Sequence, residues 1–200
     1  MARYTGAKLR ITRRLGDLPG LTSKKGKRTQ RPGQHGATQK KLTQYAIRLE
    51  EKQKLRFNYG LGEKQLRRLV QESFRSREHS GHKLLELLER RLDSVLFRAG
   101  FAPTIPAARQ LVSHKHVLVD GKLVNIPSYR IKKGQTITVK EKTLKLPLVI
   151  STLEQPSLAR PAWISFENNT AKIIALPDRD SLGLPIEESL IVELYSRMVS

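Results

Sequence analysis

The chain has no cysteine, one tryptophan, and only five tyrosines and five phenylalanines among 200 residues. Without thiols there are no disulfides and no thiolate metal sites. No apolar run approaches the roughly eighteen residues that a membrane-spanning helix needs. The opening residues, MARYTGAKLRITRR, lack the apolar stretch of a secretory signal. Acid is scarce too: 18 Asp and Glu stand against 38 Lys and Arg, a formal net charge of +20. At 38% hydrophobic the chain still has enough apolar surface for one large core or two small ones. The expected protein is soluble, intracellular and strongly basic. Its expected partner is a polyanion, nucleic acid before any other.

The charge is uneven. Residues 1–60 carry sixteen Lys and Arg against three acids, residues 61–145 eighteen against eight, and residues 146–200 four against seven. A basic front and an acidic tail assign one face to the partner and another to solvent or neighbours. Within the front, residues 1–43 are rich in Gly, Thr, Gln and Lys. Lys24-Lys25-Gly26-Lys27-Arg28 and Arg31-Pro32-Gly33-Gln34-His35-Gly36 show neither helical nor strand period, so the segment is expected to be largely disordered until a phosphate backbone orders it.

Helical spacing follows. Tyr45 and Leu49, the ridge Arg48, Lys52 and Arg56, and the pair Glu50 and Lys54 predict a helix from Tyr45 to Tyr59. Leu66, Leu69, Val70 and Phe74 predict a second, with Lys64, Arg67, Arg68 and Gln71 outside. The longest helical pattern runs from Leu84 through Leu85, Leu88, Leu92, Val95 and Leu96 to Ala99, and Gly100 stops it. Next, Thr104 can cap a helix with Pro106 in its first turn. Ala107, Ala108, Leu111 and Val112 would be its buried side, with Arg109, Gln110 and Ser113 facing elsewhere. Val117–Val119, Asp120-Gly121 and Lys122–Val124 read as a hairpin with a type I′ turn. Thr136–Val139 reads as a strand after a turn at Lys133-Gly134, and Ala162–Phe166 with Ala171–Leu176 as a later hairpin around Asn168-Asn169. Pro185 opens a last helix, with Glu187 and Glu188 in its first turn and Ile186, Leu190, Leu194 and Met198 on one side.

No catalytic constellation emerges. Gly20 to Lys27 resembles a phosphate-binding loop, but its glycines enclose five residues rather than four, and Arg28 stands where a magnesium-binding hydroxyl belongs. His79 with His82 and His114 with His116 lack the further ligands of a metal frame. There is no Gly-x-Ser-x-Gly elbow and no Cys nucleophile. No cofactor and no metal are expected.

Arg91-Leu92-Asp93-Ser94-Val95, Ala107-Ala108-Arg109-Gln110-Leu111-Val112-Ser113-His114, Val117-Leu118-Val119-Asp120-Gly121-Lys122 and Val124-Asn125-Ile126-Pro127-Ser128-Tyr129 together resemble one family, protein four of the small ribosomal subunit. Ala2-Arg3-Tyr4-Thr5-Gly6, Arg13-Arg14-Leu15-Gly16, Pro32-Gly33-Gln34-His35-Gly36, Glu51-Lys52-Gln53-Lys54-Leu55-Arg56, Tyr59-Gly60 and Ile191-Val192-Glu193-Leu194-Tyr195-Ser196 extend the likeness over nearly the whole chain; only residues 142–185 match loosely. The resemblance implies an α+β protein. A helical first domain is interrupted by an inserted α+β RNA-binding module, two helices and a small, mostly antiparallel sheet. A basic extended N-terminal arm precedes it, and a C-terminal helix returns to the first domain. The expected bounds are 1–43 for the arm, 44–88 plus 186–200 for the helical domain, and 89–185 for the insert, its core about 89–142. The pass along the chain agrees: helical, mixed, then helical again.

The resemblance further implies direct binding to small-subunit (16S) rRNA at a junction in its five-prime domain, a role early in assembly, and an influence on decoding accuracy. The implied neighbours are the S three and S five proteins and messenger RNA where it enters; no self-association is implied. Many relatives hold zinc through cysteines in the arm, which this chain lacks. Lys115 stands where a glycine is common. The expected place is the bacterial cytoplasm, or the chloroplast stroma for a plastid-encoded copy.

At an RNA junction, proteins grip backbone and shape rather than base edges, and Arg and Lys supply the charge. The candidate contacts in the module are Arg91, Arg109, Gln110, His114, Lys115, His116, Lys122 and Asn125. In the arm and first domain they are Arg3, Arg10, Arg13, Arg14, His35, Lys40, Lys41, Arg48, Lys52, Arg56, Arg67 and Arg68. Asp93 is expected to pair with a neighbouring Arg or cap backbone, and Tyr4 and Tyr59 either to stack on RNA or to pack. Two alternatives remain: a non-ribosomal RNA chaperone, and an RNA-modifying enzyme fronted by the same module. The about sixty residues after the module are too few for a catalytic domain.

Overall fold

Apolar residues three and four apart recur from Tyr45 to Ala99, and the structure, a computed structural model that describes residues 4–38, 41–179 and 185–199, turns them into helices. In chain order the elements are α1 (Lys8–Leu15), α2 (Gln44–Asn58), α3 (Glu63–Phe74), α4 (Ser80–Glu89), α5 (Leu92–Ala99), α6 (Ile105–Ser113), β1 (Val117–Val119), β2 (Lys122–Leu123), β3 (Thr136–Val139), α7 (Glu141–Leu144), α8 (Pro147–Glu154), β4 (Ile164–Glu167), β5 (Thr170–Ile173) and α9 (Glu188–Val199). They divide into two units, Met1–Leu84 with Leu184–Ser200, and Leu85–Gly183.

In the first unit, α9 packs on α2 and α3, and α1 packs on α2. Thr43 Oγ1 accepts from the Ala46 N–H at 3.2 Å and starts α2. Charges fix α9 in place: Arg48 donates twice to the Glu193 carboxylate, at 2.7 and 2.8 Å. Glu63 Oε1 accepts from Lys52 Nζ at 2.9 Å and from the Tyr195 hydroxyl at 2.8 Å. Burial works against ionisation of Glu63, but the two hydrogen bonds and the Lys52 and Arg56 charges outweigh it and hold its carboxyl below the ordinary value of 4.5. Burial first, then the bond into that carboxylate, pushes the Tyr195 phenol well above its usual range.

A carboxyl lowered in the fold stabilises the fold fully above its unfolded pKa, and that contribution disappears as pH falls through the lower folded value. The first unit is therefore expected to lose stability below pH 4.5 as Glu63 protonates, and Glu63→Gln should flatten that part of the profile. Urea midpoints measured between about pH 3 and 6 check this; an unchanged acid limb in the variant would refute it.

The expectation of a disordered arm is corrected for residues 8–21. Ile11, Leu15, Leu18 and Leu21 are buried together, with Phe57 packed against them. Asn58 Oδ1 accepts from the Gly20 N–H at 2.9 Å, tying the segment to α2. Averaging composition over the whole arm conceals the spacing of four that puts Ile11 and Leu15 on one side of α1; Leu18 and Leu21 join them from the turn after the helix.

In the second unit, Leu92, Val95 and Leu96 of α5 bury against Ile105, Ala108 and Val112 of α6. The sheet has the order β2-β1-β3-β5-β4 and every pairing is antiparallel. Val117 and Val119 of β1, Ile137 and Val139 of β3, and Ala171 and Ile173 of β5 alternate inward. The β1–β2 turn is type I′ in geometry, with φ +49° at Asp120 and +75° at Gly121. Asp120 also accepts from the Thr136 N–H at 2.8 Å and the Gln135 amide at 2.7 Å, which pins the hairpin to β3 and holds its carboxyl low. Asn168 and Asn169, at φ +48° and +57°, turn β4 into β5.

The long helical pattern from Leu84 to Ala99 is two helices. Arg91 is extended at φ −68°, ψ 140°. The Leu92 N–H donates to Tyr129 O at 2.8 Å, Asp93 N–H to Pro127 O at 3.1 Å, and Ile131 N–H to Arg90 O at 2.8 Å. Passing chain thus takes over backbone groups that a continuous helix would keep. The apolar period continues across the break because Leu85 and Leu88 before it and Leu92, Val95 and Leu96 after it are all buried. The short helices α7 and α8 have no counterpart among the elements expected from sequence. Among the described residues no helix is long and apolar enough to cross a membrane.

Candidate nucleic-acid interface

The second unit offers a polar rim around the C-terminal end of α6 and the β1–β2 hairpin. Thr104 accepts from Ala107 N–H at 3.4 Å and Pro106 sits in the first turn, so α6 starts as expected. Gln110, His114, Lys115, Lys122 and Asn125 are exposed along this rim. Lys115 has φ +63°, a left-handed conformation that glycine adopts freely and that costs a side-chain-bearing residue roughly 1–2 kcal/mol. Lys115 is thus a strained cation at the end of α6. His116 turns inward, its Nδ1 2.8 Å from the Oγ1 of buried Thr143.

Arg91 and Arg109 do not stand free on that rim. Asp93 is fully buried and accepts from Arg91 at 3.0 and 2.8 Å and from Arg109 at 3.2 and 2.9 Å. The Arg91 side chain is 7% exposed and that of Arg109 20%. The expected Arg partner for Asp93 is thus present twice over. Arg91 is a buried counter-ion, and Arg109 remains partly open at the edge. A second buried pair, Arg98 with Glu89 at 2.9 and 3.0 Å, lies in the same unit.

In the first unit the candidates divide the same way. Arg10, Arg14, His35, Lys41, Arg67 and Arg68 are exposed. Arg13 donates to the carbonyls of Gln30 at 2.9 Å and Arg31 at 3.4 Å, so it holds the following loop onto α1. Arg48 is spent on Glu193, and Lys52 is buried on Glu63. Arg56 donates to Gln53 at 3.0 Å and lies 5.0 Å over the Phe57 ring. Arg13, Arg48, Lys52, Arg56, Arg91 and His116 thus make protein contacts that residue type and helical spacing do not show, because the carboxylate, carbonyl or hydroxyl each one meets is brought in by the fold. Tyr59 is buried in packing, while Tyr4 is exposed and meets Phe57 edge-on at 5.4 Å. Arg3 and Lys40 lie outside the described residues.

Sequence reasoning misses one basic residue. Arg31 lines an open groove of about 940 Å³ together with Arg10, Arg14, His35 and the rest of the 32–38 loop. Its signal is its position beside Pro32-Gly33-Gln34-His35-Gly36. Among the described residues, no three His, Asp or Glu side chains converge as a metal site would require. Two polar, cation-rich surfaces of this kind suit the holding of phosphates.

Comparison with known proteins agrees with that geometry. Residues 3–89 match the family model described as the ribosomal protein S4/S9 N-terminal domain, and residues 90–137 match the S4 domain. The chain is 55% identical to small ribosomal subunit protein uS4c of Emiliania huxleyi over the full length of both. It is 52% identical to uS4 of Synechococcus elongatus, again over both full lengths, and 51% identical to uS4 of Methylobacillus flagellatus over 98% of each. On these matches the chain belongs to the uS4 family of small ribosomal subunit proteins.

Proposed function

We propose that the chain is a structural constituent of the small ribosomal subunit that binds small-subunit rRNA directly and is not an enzyme. The observation that carries this is the full-length likeness to proteins named for that subunit. The exposed cations of both units support it. The contacts we assign to RNA are Arg10, Arg14, Arg31, His35, Lys41, Arg67 and Arg68 in the first unit, and Gln110, His114, Lys115, Lys122, Asn125 and the open edge of Arg109 in the second. The domain reading also stands as a proposal: a basic arm, a helical domain completed by the last helix, and an inserted RNA-binding module.

The finer role we propose is binding at a junction of the five-prime rRNA domain early in assembly, beside the S three and S five proteins and near incoming messenger RNA, with an effect on decoding accuracy. The host compartment is the bacterial cytoplasm or a plastid. Sedimentation of native extract tests the core of the proposal: the protein should travel with the small subunit at moderate salt. Recovery in the unbound fraction would favour an RNA chaperone instead.

Lys115 provides a finer test. Lys115→Gly removes a charge and the strained backbone together. It should leave thermal stability equal or higher while reducing the salt slope of rRNA binding by roughly 0.7–0.9. Filter binding across a salt series, read beside a thermal melt, checks both; an unchanged slope removes Lys115 from the interface.

A further inference from the structure

In the basic groove of the first unit, the cation most favourably placed is already occupied by the protein itself. Arg31 donates from Nη1 to Oε1 of Glu50 at 3.0 Å and from Nη2 to Oε2 at 3.1 Å, a two-point grip. Arg14 approaches the same carboxylate at 3.9 Å. The Glu50 side chain is 14% exposed, whereas those of Arg31 and Arg14 are 44% and 60% exposed. The carboxylate therefore sits behind two cations that face outward. The loop carrying Arg31 is tied down by Arg13 and closed by Gly36, where a Cβ would collide with the Arg31 carbonyl. A guanidinium in a fixed loop, engaged edge-on by two oxygens, has the geometry it offers to a phosphate.

We propose that Glu50 is an internal stand-in for an RNA phosphodiester, and that rRNA binding displaces it from Arg31 and Arg14. A phosphodiester also carries one negative charge on two free oxygens, so it can take both Arg31 donors without rebuilding the loop. It approaches from the open side, where Arg10 and His35 line the same groove. RNA presents phosphates in series, so a backbone strand engages Arg10, Arg14 and Arg31 together, whereas Glu50 supplies one charge. An isolated anion has no such advantage. Lys54, now paired with Glu51, lies four residues beyond Glu50 on α2, the spacing at which a helix pairs a released carboxylate with a cation. The contact thus quiets part of the basic surface in the free protein and makes engagement there conditional on a polyanion.

This inference rests on the rRNA-binding reading, and the test separates the two. The full chain is titrated with a transcript of the five-prime domain of small-subunit rRNA across a salt series, as wild type, Glu50→Gln, Glu50→Asp, Arg31→Ala and Glu50→Gln with Arg31→Ala. Removal of the competitor should tighten binding by roughly two- to fivefold, the range of an exposed ion pair. The shorter Glu50→Asp, which keeps the charge but cannot span the guanidinium as well, should move affinity in the same direction by less. Adding Arg31→Ala should abolish the gain. If both Glu50 variants melt like wild type and bind no tighter, the displacement mechanism is wrong while the rRNA reading stands. Should Glu50→Gln melt early, Glu50→Asp decides: tighter binding than wild type supports displacement, and unchanged or weaker binding overturns it. Wild type showing no salt-dependent affinity for the transcript would remove the rRNA reading itself.

Discussion

Asp93→Ala is expected to destabilise the second unit by about 3–5 kcal/mol, the cost of leaving a buried charge without its counter-ion. Arg91 is the reason. Its guanidinium is almost wholly enclosed and faces Asp93 edge-on, and the substitution leaves it in the interior with neither water nor carboxylate. The loss extends to backbone, because Asp93 Oδ1 also accepts from the Ser94 N–H at 3.0 Å at the start of α5. Arg109 is less affected, since its partial exposure lets it turn outward. Domains of this size are stable by only about 5–15 kcal/mol, so the variant should melt many degrees lower. A second substitution isolates the cause: Arg91→Met in the Asp93→Ala background should recover much of the loss, as paired removal of buried charges does elsewhere. Urea unfolding of the single and double variants measures it. A single-variant cost under about 1 kcal/mol would mean that water reaches Arg91.

The second large effect is apolar. Leu111→Ala should cost about 2–5 kcal/mol through the cavity left under α6, because Leu111 is only 6% exposed. RNA affinity should fall only to the extent that the unit unfolds. Arg109→Ala, two residues earlier, serves as the comparison. Asp93 keeps Arg91 in that variant, so the stability loss should be the smaller of the two. If Arg109 leaves Asp93 for a phosphate on binding, the salt slope should drop by roughly 0.7–0.9. If it stays, the slope should not change and Arg109 belongs to the support of Asp93 alone. Melts and filter binding on the same preparations give both answers.

What could be read in advance was what depends on near neighbours along the chain. Asp120-Gly121 demanded two positive φ values, and Thr104 with Pro106 a helix start; local sterics and capping decide both. The class of partner followed from net charge alone. What could not be read depends on approach across the chain. Nothing within a few residues of Arg48 shows that Glu193 will reach it, and nothing near Arg31 announces Glu50. Spacing on a helix gives the side on which a cation lies, but not whether an acid from another element meets it there. The break at Arg91 was concealed for a similar reason: the apolar rhythm continued, while the backbone partners that interrupt the helix come from 127–131. The α1 segment shows the reverse error, a short apolar period hidden by the polar composition around it.

The placement of α9 has a temporal consequence. The helix that completes the first unit, through Glu193 on Arg48 and Tyr195 on Glu63, is separated from α2 and α3 by the whole of Leu85–Gly183. During synthesis the earlier helices leave the ribosome with one side uncovered and must wait for a partner that has not yet been made, whereas the second unit is contiguous and can complete itself first. Domains usually fold in the order of synthesis; this connectivity would invert the order, leaving the first part of the chain to appear the last to be completed. A nascent chain halted before α9 would hold a finished module beside an open helical face, a state that chaperones recognise by its exposed apolar surface.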